Sequence, residues 1–402
     1  MATQKNAPLP PDFQLEEYRI VRQLSSGGFS LVYLAEDPEG NIVAIKEYLP
    51  NSLSLRSAGQ TAPQIPQEHY STFMYGMKCF FEEGHSLARI VHPNVVRVLN
   101  FFRANGTVYM VMTYEEGLTL AQYIRYRRNA KRPPSERLIR AIFARLLDGL
   151  REVHINRLLH LDIKPSNIYL RQDGSPVLLD FGAARQTLFA DRPYLKPMFT
   201  PGYAPPEHFR GKKLGPWTDI YGIGASMHAC VTGRAPQRAE KRLEEDRLAP
   251  LVDSEHAQRY SRELLAAIDA CLRIEPEDRP ASVPLLQKVL REKARLPGDT
   301  DDDDYLAAAA ADYQSAKRRR KSKAEDKAED SRENQPEEVA VAETAVNAEI
   351  ENENEADSEH TNADEGNDPR VAHTAYEHEY GHGHVELADE DEEPTAEQST
   401  LA

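Results

Sequence analysis

The chain has 402 residues and a formal charge of −16, from 49 Lys and Arg against 65 Asp and Glu. The charge is unevenly distributed: residues 297–402 hold 32 acidic and nine basic residues and carry −23, whereas residues 1–296 carry +7. This balance argues against general nucleic-acid binding by the whole protein. The length is sufficient for one large or two modest domains.

Three cysteines, Cys79, Cys230 and Cys271, lie far apart, without the spacing of a disulfide framework or a zinc site. We expect each to be a small buried apolar side chain. No apolar run approaches the ~20 residues that span a bilayer. The N-terminal segment MATQKNAPLPPDF also lacks the apolar core of a secretory signal. The sequence therefore predicts a cytoplasmic protein.

The first third of the chain has a strand-like pattern. Residues 1–17 are polar and Pro-rich and are expected to form an N-terminal arm. Turn signals then separate three alternating runs, YRIVRQL, FSLVYLAE and NIVAIKEYL, which predicts an antiparallel meander. A helix is expected near residues 70–90. Two further strands should flank Asn105-Gly106, a pair typical of tight hairpins.

Beyond Gly117 the pattern becomes helical. Ser135 is a candidate N-cap for ERLIRAIFARLLDGLREVH, whose apolar residues recur at helical spacing. The fold class predicted is α+β, with a small antiparallel β lobe over 18–113 and a larger helical lobe over 118–293. Further apolar helical segments recur near 217–232, 261–273 and 282–293.

The acidic segment 297–402 is predicted to be disordered, because it has too few apolar residues to offset chain entropy. A basic run, KRRRKSK at 317–323, interrupts it. Contact of this run with nucleic acid or anionic lipid is an alternative to a solvated charge block, which we favour. Docking of the tail onto the basic body is a further hypothesis, because the tether raises its local concentration.

Two motifs in the strand region suggest phosphate binding. LSSGGFSLVY at 24–33 is a turn of small residues between strands, whose backbone N–H groups can approach phosphate oxygens. VAIK at 43–46 ends an apolar strand in a lysine. Each motif is weak alone, since Gly-Gly turns and surface lysines are common.

Two further motifs supply carboxylates. HLDIKPSN at 160–167 places Asp162, Lys164 and Asn167 in one loop. Asp180-Phe181-Gly182 follows the apolar run PVLLD, and aspartate is suited to holding a hard cation.

Together and in this order, the four motifs resemble the eukaryotic-type Ser/Thr protein kinases over residues 18–293. The long insert between Lys46 and Glu83 and the segment TGRAPQRAEKRL after Cys230 look like the bacterial branch of that family. The resemblance implies the bilobal kinase fold, with ATP and Mg²⁺ as cofactors. It also implies transfer of the γ-phosphoryl group to Ser/Thr hydroxyls of protein substrates, autophosphorylation and a signalling role.

The resemblance assigns catalytic roles residue by residue. Asp162 would orient the substrate hydroxyl and accept its proton, and Lys164 would neutralise the γ-phosphate. Asn167 and Asp180 would hold Mg²⁺. Glu207 and Arg279 match the buried ion pair of the family's large lobe, Asp219 matches the acid that braces the catalytic loop, and an apolar spine would comprise Leu87, Val98, His160 and Phe181.

The family also assigns the nucleotide contacts. Lys46 would hold the α- and β-phosphates. Glu82 and Glu83 compete as its ion-pair partner, and the family's spacing favours Glu83. The other residues expected around the nucleotide are Leu24, Gly27, Gly28, Phe29, Val32, Ala44, Met112, Tyr114 and Tyr169.

The sequence departs from the family at two places. The glycine loop reads SSGGFS at 25–30 where the pattern has three glycines, which implies weaker nucleotide binding. Leu161 replaces an arginine that in many kinases grips a phosphate on the activation loop. We therefore expect Thr187 to matter little, whereas Thr200, at the start of TPGYAPPE, should position the substrate.

Two other functions are disfavoured. A pseudokinase scaffold acting through protein–protein interaction conflicts with the presence of all five polar catalytic residues. A kinase for small molecules conflicts with TPGYAPPE, Asp219 and Arg279, which argue for a protein substrate.

Overall fold

The structure is a computed structural model that describes residues 5–181, 200–211 and 213–291, together with residues 311, 313 and 315. A small β lobe is followed by a larger, mainly helical lobe. The predicted α+β class is thus confirmed. Apart from the last three residues named, the acidic segment 297–402 with its basic run lies outside the described part of the chain.

The small lobe is built on an antiparallel sheet. Its strands are β1 (Gln14–Leu15), β2 (Tyr18–Ser26), β3 (Ser30–Glu36), β4 (Ile42–Tyr48), β5 (Val98–Ala104) and β6 (Thr107–Thr113). They are ordered β1-β2-β3-β4-β6-β5, so the predicted meander is β2 to β4. Asn105 and Gly106 have φ of 50° and 75°, the left-handed backbone that a tight hairpin turn requires.

Helix α1 (Gln67–Ala88) packs against β5 and β6. The helix and the sheet approach closely at Gly84, where a Cβ would lie 2.9 Å from Cε at the end of the flexible Met110 side chain. Close packing at this point brings the following turn of α1 towards the lobe's core, where Leu87 is buried.

The large lobe combines helices with a short three-stranded sheet. The sheet comprises β7 (Gly117–Thr119), β8 (Ile168–Arg171) and β9 (Pro176–Leu178). The helices are α2 (Leu120–Asn129), α3 (Glu136–Ile155), α4 (Pro206–Arg210), α5 (Pro216–Thr232), α6 (Ala239–Glu244), α7 (Arg262–Cys271) and α8 (Val283–Arg291). Single 3₁₀ turns lie at Pro165–Asn167, Leu251–Asp253, Glu255–Gln258 and Pro276–Asp278.

Helix α3 is the central helix of this lobe and packs against α5 and α8. As predicted, Ser135 is its N-cap: the hydroxyl accepts a hydrogen bond from the Leu138 N–H at 3.3 Å. The apolar residues at helical spacing are all buried, namely Leu138, Ile142, Leu146, Leu150 and Val153.

The N-terminal arm packs onto the small lobe. Leu9 and Leu15 are buried, and β1 pairs with β2. The amide side chain of Asn6 is buried as well. Residues 5–15 therefore contribute to the core of this lobe, although their sequence lacks the alternation of a strand.

The three cysteines are buried and free, as expected. Burial raises the pKa of the Cys271 thiol to about 12, so this thiol is unreactive at neutral pH. None of the helices in the described ranges combines the length and hydropathy needed to cross a bilayer.

Candidate active site

The motif residues meet at a cavity of about 170 Å³ between the two lobes. The small lobe supplies the turn between β2 and β3, the end of β4 and one face of α1. The large lobe supplies the loop before β8 and the segment after β9. The lining residues are Gly27, Gly28, Phe29, Ser30, Lys46, Tyr48, Phe80, Glu83, Asp162, Lys164, Asn167, Asp180 and Phe181.

Asp162 lies at the centre of a polar cluster. Lys164 Nζ lies 3.1 Å from Asp162 Oδ2 and donates a hydrogen bond to Thr200 Oγ1 at 2.8 Å. Asn167 Nδ2 donates to the Asp162 carbonyl at 2.9 Å and to its carboxylate at 3.1 Å. One carboxylate, one ammonium and one hydroxyl are thereby held together at the mouth of the loop, with the side chain of Asp162 largely buried.

The backbone before Asp162 is braced from α5. Leu161 has a φ of 62°, which a side chain with a Cβ rarely adopts. Buried Asp219 accepts the Leu161 N–H on Oδ1 at 2.7 Å and the His160 N–H on Oδ2 at 2.9 Å. The predicted bracing role of Asp219 thus has a direct geometric basis.

Asp180 faces the small lobe. Its Oδ1 lies 2.9 Å from Lys46 Nζ, and its φ is 52°. Burial raises the pKa of its carboxyl, but the nearby charges of Lys46 and Lys164 outweigh that effect, so the pKa lies below its usual value. The carboxylate is therefore ionised at neutral pH.

The expected ion pair between Lys46 and Glu83 is replaced in this structure by the pair of Lys46 with Asp180. Glu83 lines the same cavity from α1. Of the two acids, it is therefore Asp180, with its left-handed backbone, that pairs with the lysine.

The residues expected around the nucleotide fall into two groups. Gly27, Gly28, Phe29 and Lys46 line the cavity. The rest belong to the apolar core that adjoins it, in which Ala44 on β4 pairs with Met112 on β6. The other members of this second group are Leu24, Val32, Tyr114 and Tyr169.

The chemistry of the donors fits a magnesium ion. Mg²⁺ binds through one or two protein ligands together with water and phosphate oxygens rather than in an all-protein cage. Within the described ranges no group of three or more His, Cys, Asp and Glu side chains could hold a metal. Because the amide nitrogen of Asn167 faces Asp162, its Oδ1 is left to act as a ligand beside the Asp180 carboxylate.

The structure also contains the predicted buried ion pair of the large lobe and buries the residues of the predicted apolar spine. Arg279 makes two hydrogen bonds with Glu207, at 2.8 and 2.9 Å, and both side chains are fully buried. The rings of His160 and Phe181 lie 4.4 Å apart, and the spine residues Leu87, Val98, His160 and Phe181 are all buried.

Sequence reasoning missed Tyr48 and Phe80, which also line the cavity. Phe80 lies one helical turn before Glu83 on α1, and that spacing is the signal by which it could have been found. Tyr48 lies two residues after Lys46 on β4, where alternation places it on the same face of the strand.

A larger cavity, of about 530 Å³, lies in the large lobe and contains none of the motif residues. Its charged groups are largely engaged within the protein. Arg242 pairs with Asp246 at 2.9 Å, and Asp269 accepts the N–H groups of Leu251 and Val252.

Known proteins share this fold and these motifs. A family model described as the protein kinase domain matches residues 18–291. Serine/threonine-protein kinase PknA from Nostoc sp. is 31% identical over 272 residues, which cover 65% of this chain and 44% of PknA. PrkC from Bacillus subtilis is 30% identical over 220 residues, which cover 54% of this chain and 31% of PrkC.

Solved structures agree with these relatives. The apo form of PpkA-294 is 34% identical, with a TM-score of 0.64, and the match covers 71% of this chain and 99% of that one. The kinase domain of PknI from Mycobacterium tuberculosis is 21% identical, with a TM-score of 0.52, and shares the fold.

By fold and by family model, the chain belongs to the protein kinase family, and its relatives place it in the bacterial branch of the eukaryotic-type Ser/Thr kinases. The chain spans less than half the length of the curated relatives named above.

Proposed function

We propose that this domain transfers the γ-phosphoryl group of Mg·ATP to Ser and Thr hydroxyls of proteins, including its own. The observation that carries the proposal is the bridge from Asp162 through Lys164 to Thr200, with Lys164 Nζ 3.1 Å from the carboxylate and 2.8 Å from the hydroxyl. In this proposal Asp162 is the proton acceptor and Lys164 the cation at the point where a substrate hydroxyl and a γ-phosphate would meet.

The residues divide the work of a phosphoryl transfer whose transition state needs positioning and charge neutralisation more than covalent chemistry. Asp162 orients the attacking hydroxyl and accepts its proton. Lys164 offsets the charge of the γ-phosphoryl oxygens, and Lys46 that of the α- and β-phosphates. Asn167 and Asp180 would hold Mg²⁺, which would offset the negative charge of the phosphate groups.

The nucleotide contacts are part of the same proposal. The cavity-lining Gly27, Gly28 and Phe29 would cover the phosphates, whereas Leu24, Val32, Ala44, Met112, Tyr114 and Tyr169 would contact the base and ribose. Glu83 on α1 would become the ion-pair partner of Lys46 when Asp180 binds the metal, because both acids line the cavity that contains the lysine.

A contact between the large lobe and the segment beyond it supports docking of the tail. The Tyr313 ring lies 5.4 Å from the Tyr126 ring on α2, nearly perpendicular to it. Helix α2 and the residues after it form the basic run RYRRNAKR at 125–132, and the residues preceding Tyr313 include DTDDDD at 299–304. We propose that the acidic tail docks on this basic helix.

The cytoplasmic location that the sequence analysis predicts stays a prediction.

Label transfer tests the activity. The purified chain is incubated with Mg·[γ-³²P]ATP, alone and with a generic basic protein, and the labelled residues are identified after acid hydrolysis. Label on Ser or Thr is the expected result. A chain that binds nucleotide without labelling any protein would contradict the proposal and favour a pseudokinase scaffold. If such a chain labelled only small molecules in an added metabolite extract, a small-molecule kinase would be favoured.

A further inference from the structure

The glycine loop is tied to the chain segment that follows β4. The Leu49 N–H donates a hydrogen bond to the Phe29 carbonyl and the Asn51 N–H donates to the Gly28 carbonyl, each at 3.0 Å. The side chain of Asn51 donates to the Gly27 carbonyl at 3.4 Å. Three successive carbonyls at the tip of the loop therefore accept hydrogen bonds from residues 49–51, outside the β2–β3 hairpin.

Asn51 is held in turn by the N-terminal arm. Asn6 Nδ2 donates to Asn51 Oδ1 at 2.8 Å and also lies 3.3 Å from the Leu49 carbonyl. Asn6 Oδ1 accepts the Arg56 N–H at 2.5 Å, and the Asn6 side chain is buried. One amide side chain of the arm thus contacts both residues that bind the loop.

A buried polar network fixes the arm in its place. Arg56 forms two hydrogen bonds with Glu47, at 2.6 and 2.7 Å, and both side chains are fully buried. Tyr33 and Tyr109 each donate to the Glu47 carboxylate at 2.7 Å. Arg56 Nε donates to the Ala7 carbonyl at 2.8 Å, so the arm is anchored beside the residue that follows Lys46.

We infer that Asn6 and Asn51 are positioning residues of the nucleotide site, which hold the glycine loop in its binding conformation. The inference rests on the proposed function. Ser25 and Ser26 pair with Val32 and Leu31, so the hairpin is a ladder up to its three-residue tip. Because residues 49–51 already hold the tip, it loses less conformational entropy when nucleotide binds than a free tip would lose.

The test compares Asn51→Ala and Asn6→Ala with wild type in steady-state phosphoryl transfer and in binding of Mg·ADP by calorimetry. Asn51→Ala removes the side-chain hydrogen bond to the Gly27 carbonyl, and Asn6→Ala removes the hydrogen bond that holds Asn51. We therefore expect KM for ATP and Kd for Mg·ADP to rise about 3- to 10-fold in each variant. The kcat should stay within about twofold, because the groups at Asp162 are untouched. The double variant should raise KM by less than the product of the single effects, because both act through one relay.

Asn41→Ala is the matched control. Asn41 is a small-lobe asparagine as well, but an exposed one, and its amide donates to Asp37 at 3.0 Å in the turn between β3 and β4. We expect its KM and Kd to match wild type. If Asn6→Ala fails to fold, the less buried Asn51→Ala carries the test, with a thermal melt to establish that it is folded.

Values of KM and Kd for folded Asn51→Ala that equal those of the control would overturn the inference. A wild-type chain without phosphoryl transfer would overturn the proposed function instead. The inference would then still be decided by the Kd for Mg·ADP.

Discussion

Asp219 holds Leu161 in a left-handed backbone conformation: its Oδ1 accepts the Leu161 N–H at 2.7 Å, where the φ of Leu161 is 62°. The next residue is Asp162, the proposed proton acceptor, so the orientation of its carboxylate depends on this strained peptide. A left-handed residue with a Cβ costs about 1–2 kcal/mol. The buried carboxylate of α5 offsets that cost through two backbone hydrogen bonds.

Asp219→Asn should lower kcat by more than about tenfold and destabilise the fold by about 1–3 kcal/mol, because an amide group turns one acceptor into a donor facing an N–H. Adding Leu161→Gly should recover part of the loss, since glycine adopts positive φ without strain. The measurements are kcat and urea unfolding of the single and double variants. Full activity of Asp219→Asn would contradict the bracing role.

Thr200→Ala should lower kcat/KM for the protein substrate about tenfold or more, because Lys164 loses the hydroxyl that aims its ammonium at 2.8 Å. Thr200→Ser keeps a hydroxyl and should retain most of the activity. Thr187, which we expect to matter little, lies outside the described residues, and Thr187→Ala is the natural comparison. Steady-state kinetics at saturating ATP measures all three, and equal effects of Ala at both positions would refute the distinction.

Removing one partner of the buried Glu207–Arg279 pair leaves a buried charge without its counter-ion. Arg279→Met should therefore destabilise the large lobe by about 3–5 kcal/mol. The double variant with Glu207→Leu should be more stable than Arg279→Met alone, since no charge is left buried. Chemical unfolding followed by circular dichroism measures the difference, and additive losses in the double variant would exclude coupling between the two side chains.

The stability of the fold should fall as the pH is lowered from 6.5 to 4, partly through His228. Burial lowers the pKa of His228 to about 4. The unfolded chain, with an ordinary histidine pKa near 6.5, binds the proton first, so acid favours unfolding. This one group accounts for ~3 kcal/mol over the interval, at about 1.36 kcal/mol per pH unit. His228→Gln should show a flatter dependence of unfolding free energy on pH, measured in urea, and an unchanged slope would contradict the assignment.

The small-lobe sheet and the helices were predictable because their signals are local. The alternation of apolar and polar residues predicted β2 to β4. Asn105-Gly106 predicted a hairpin, and Ser135 predicted the start of α3. The motifs and their order predicted the candidate site residues, since each motif belongs to a short segment of chain.

Long-range relations could not be predicted in the same way. The arm shows no periodic apolar pattern, yet Asn6 is buried through contacts with residues more than forty positions away. The pairing of Lys46 with Asp180 joins residues of the two lobes that lie far apart in the sequence, so no local pattern specifies it. No local pattern marks Glu47 and Arg56 as buried, because the tyrosine hydroxyls that contact Glu47 come from β3 and β6.

The central claim, that Asp162 orients and deprotonates the hydroxyl that attacks ATP, is tested most directly by the single-turnover rate of phosphoryl transfer in Asp162→Asn. The account predicts a fall of about 10²–10⁴-fold with an almost unchanged Kd for Mg·ATP, because the amide keeps the shape of the carboxylate but cannot accept the proton. A rate within tenfold of wild type at equal nucleotide affinity would contradict it.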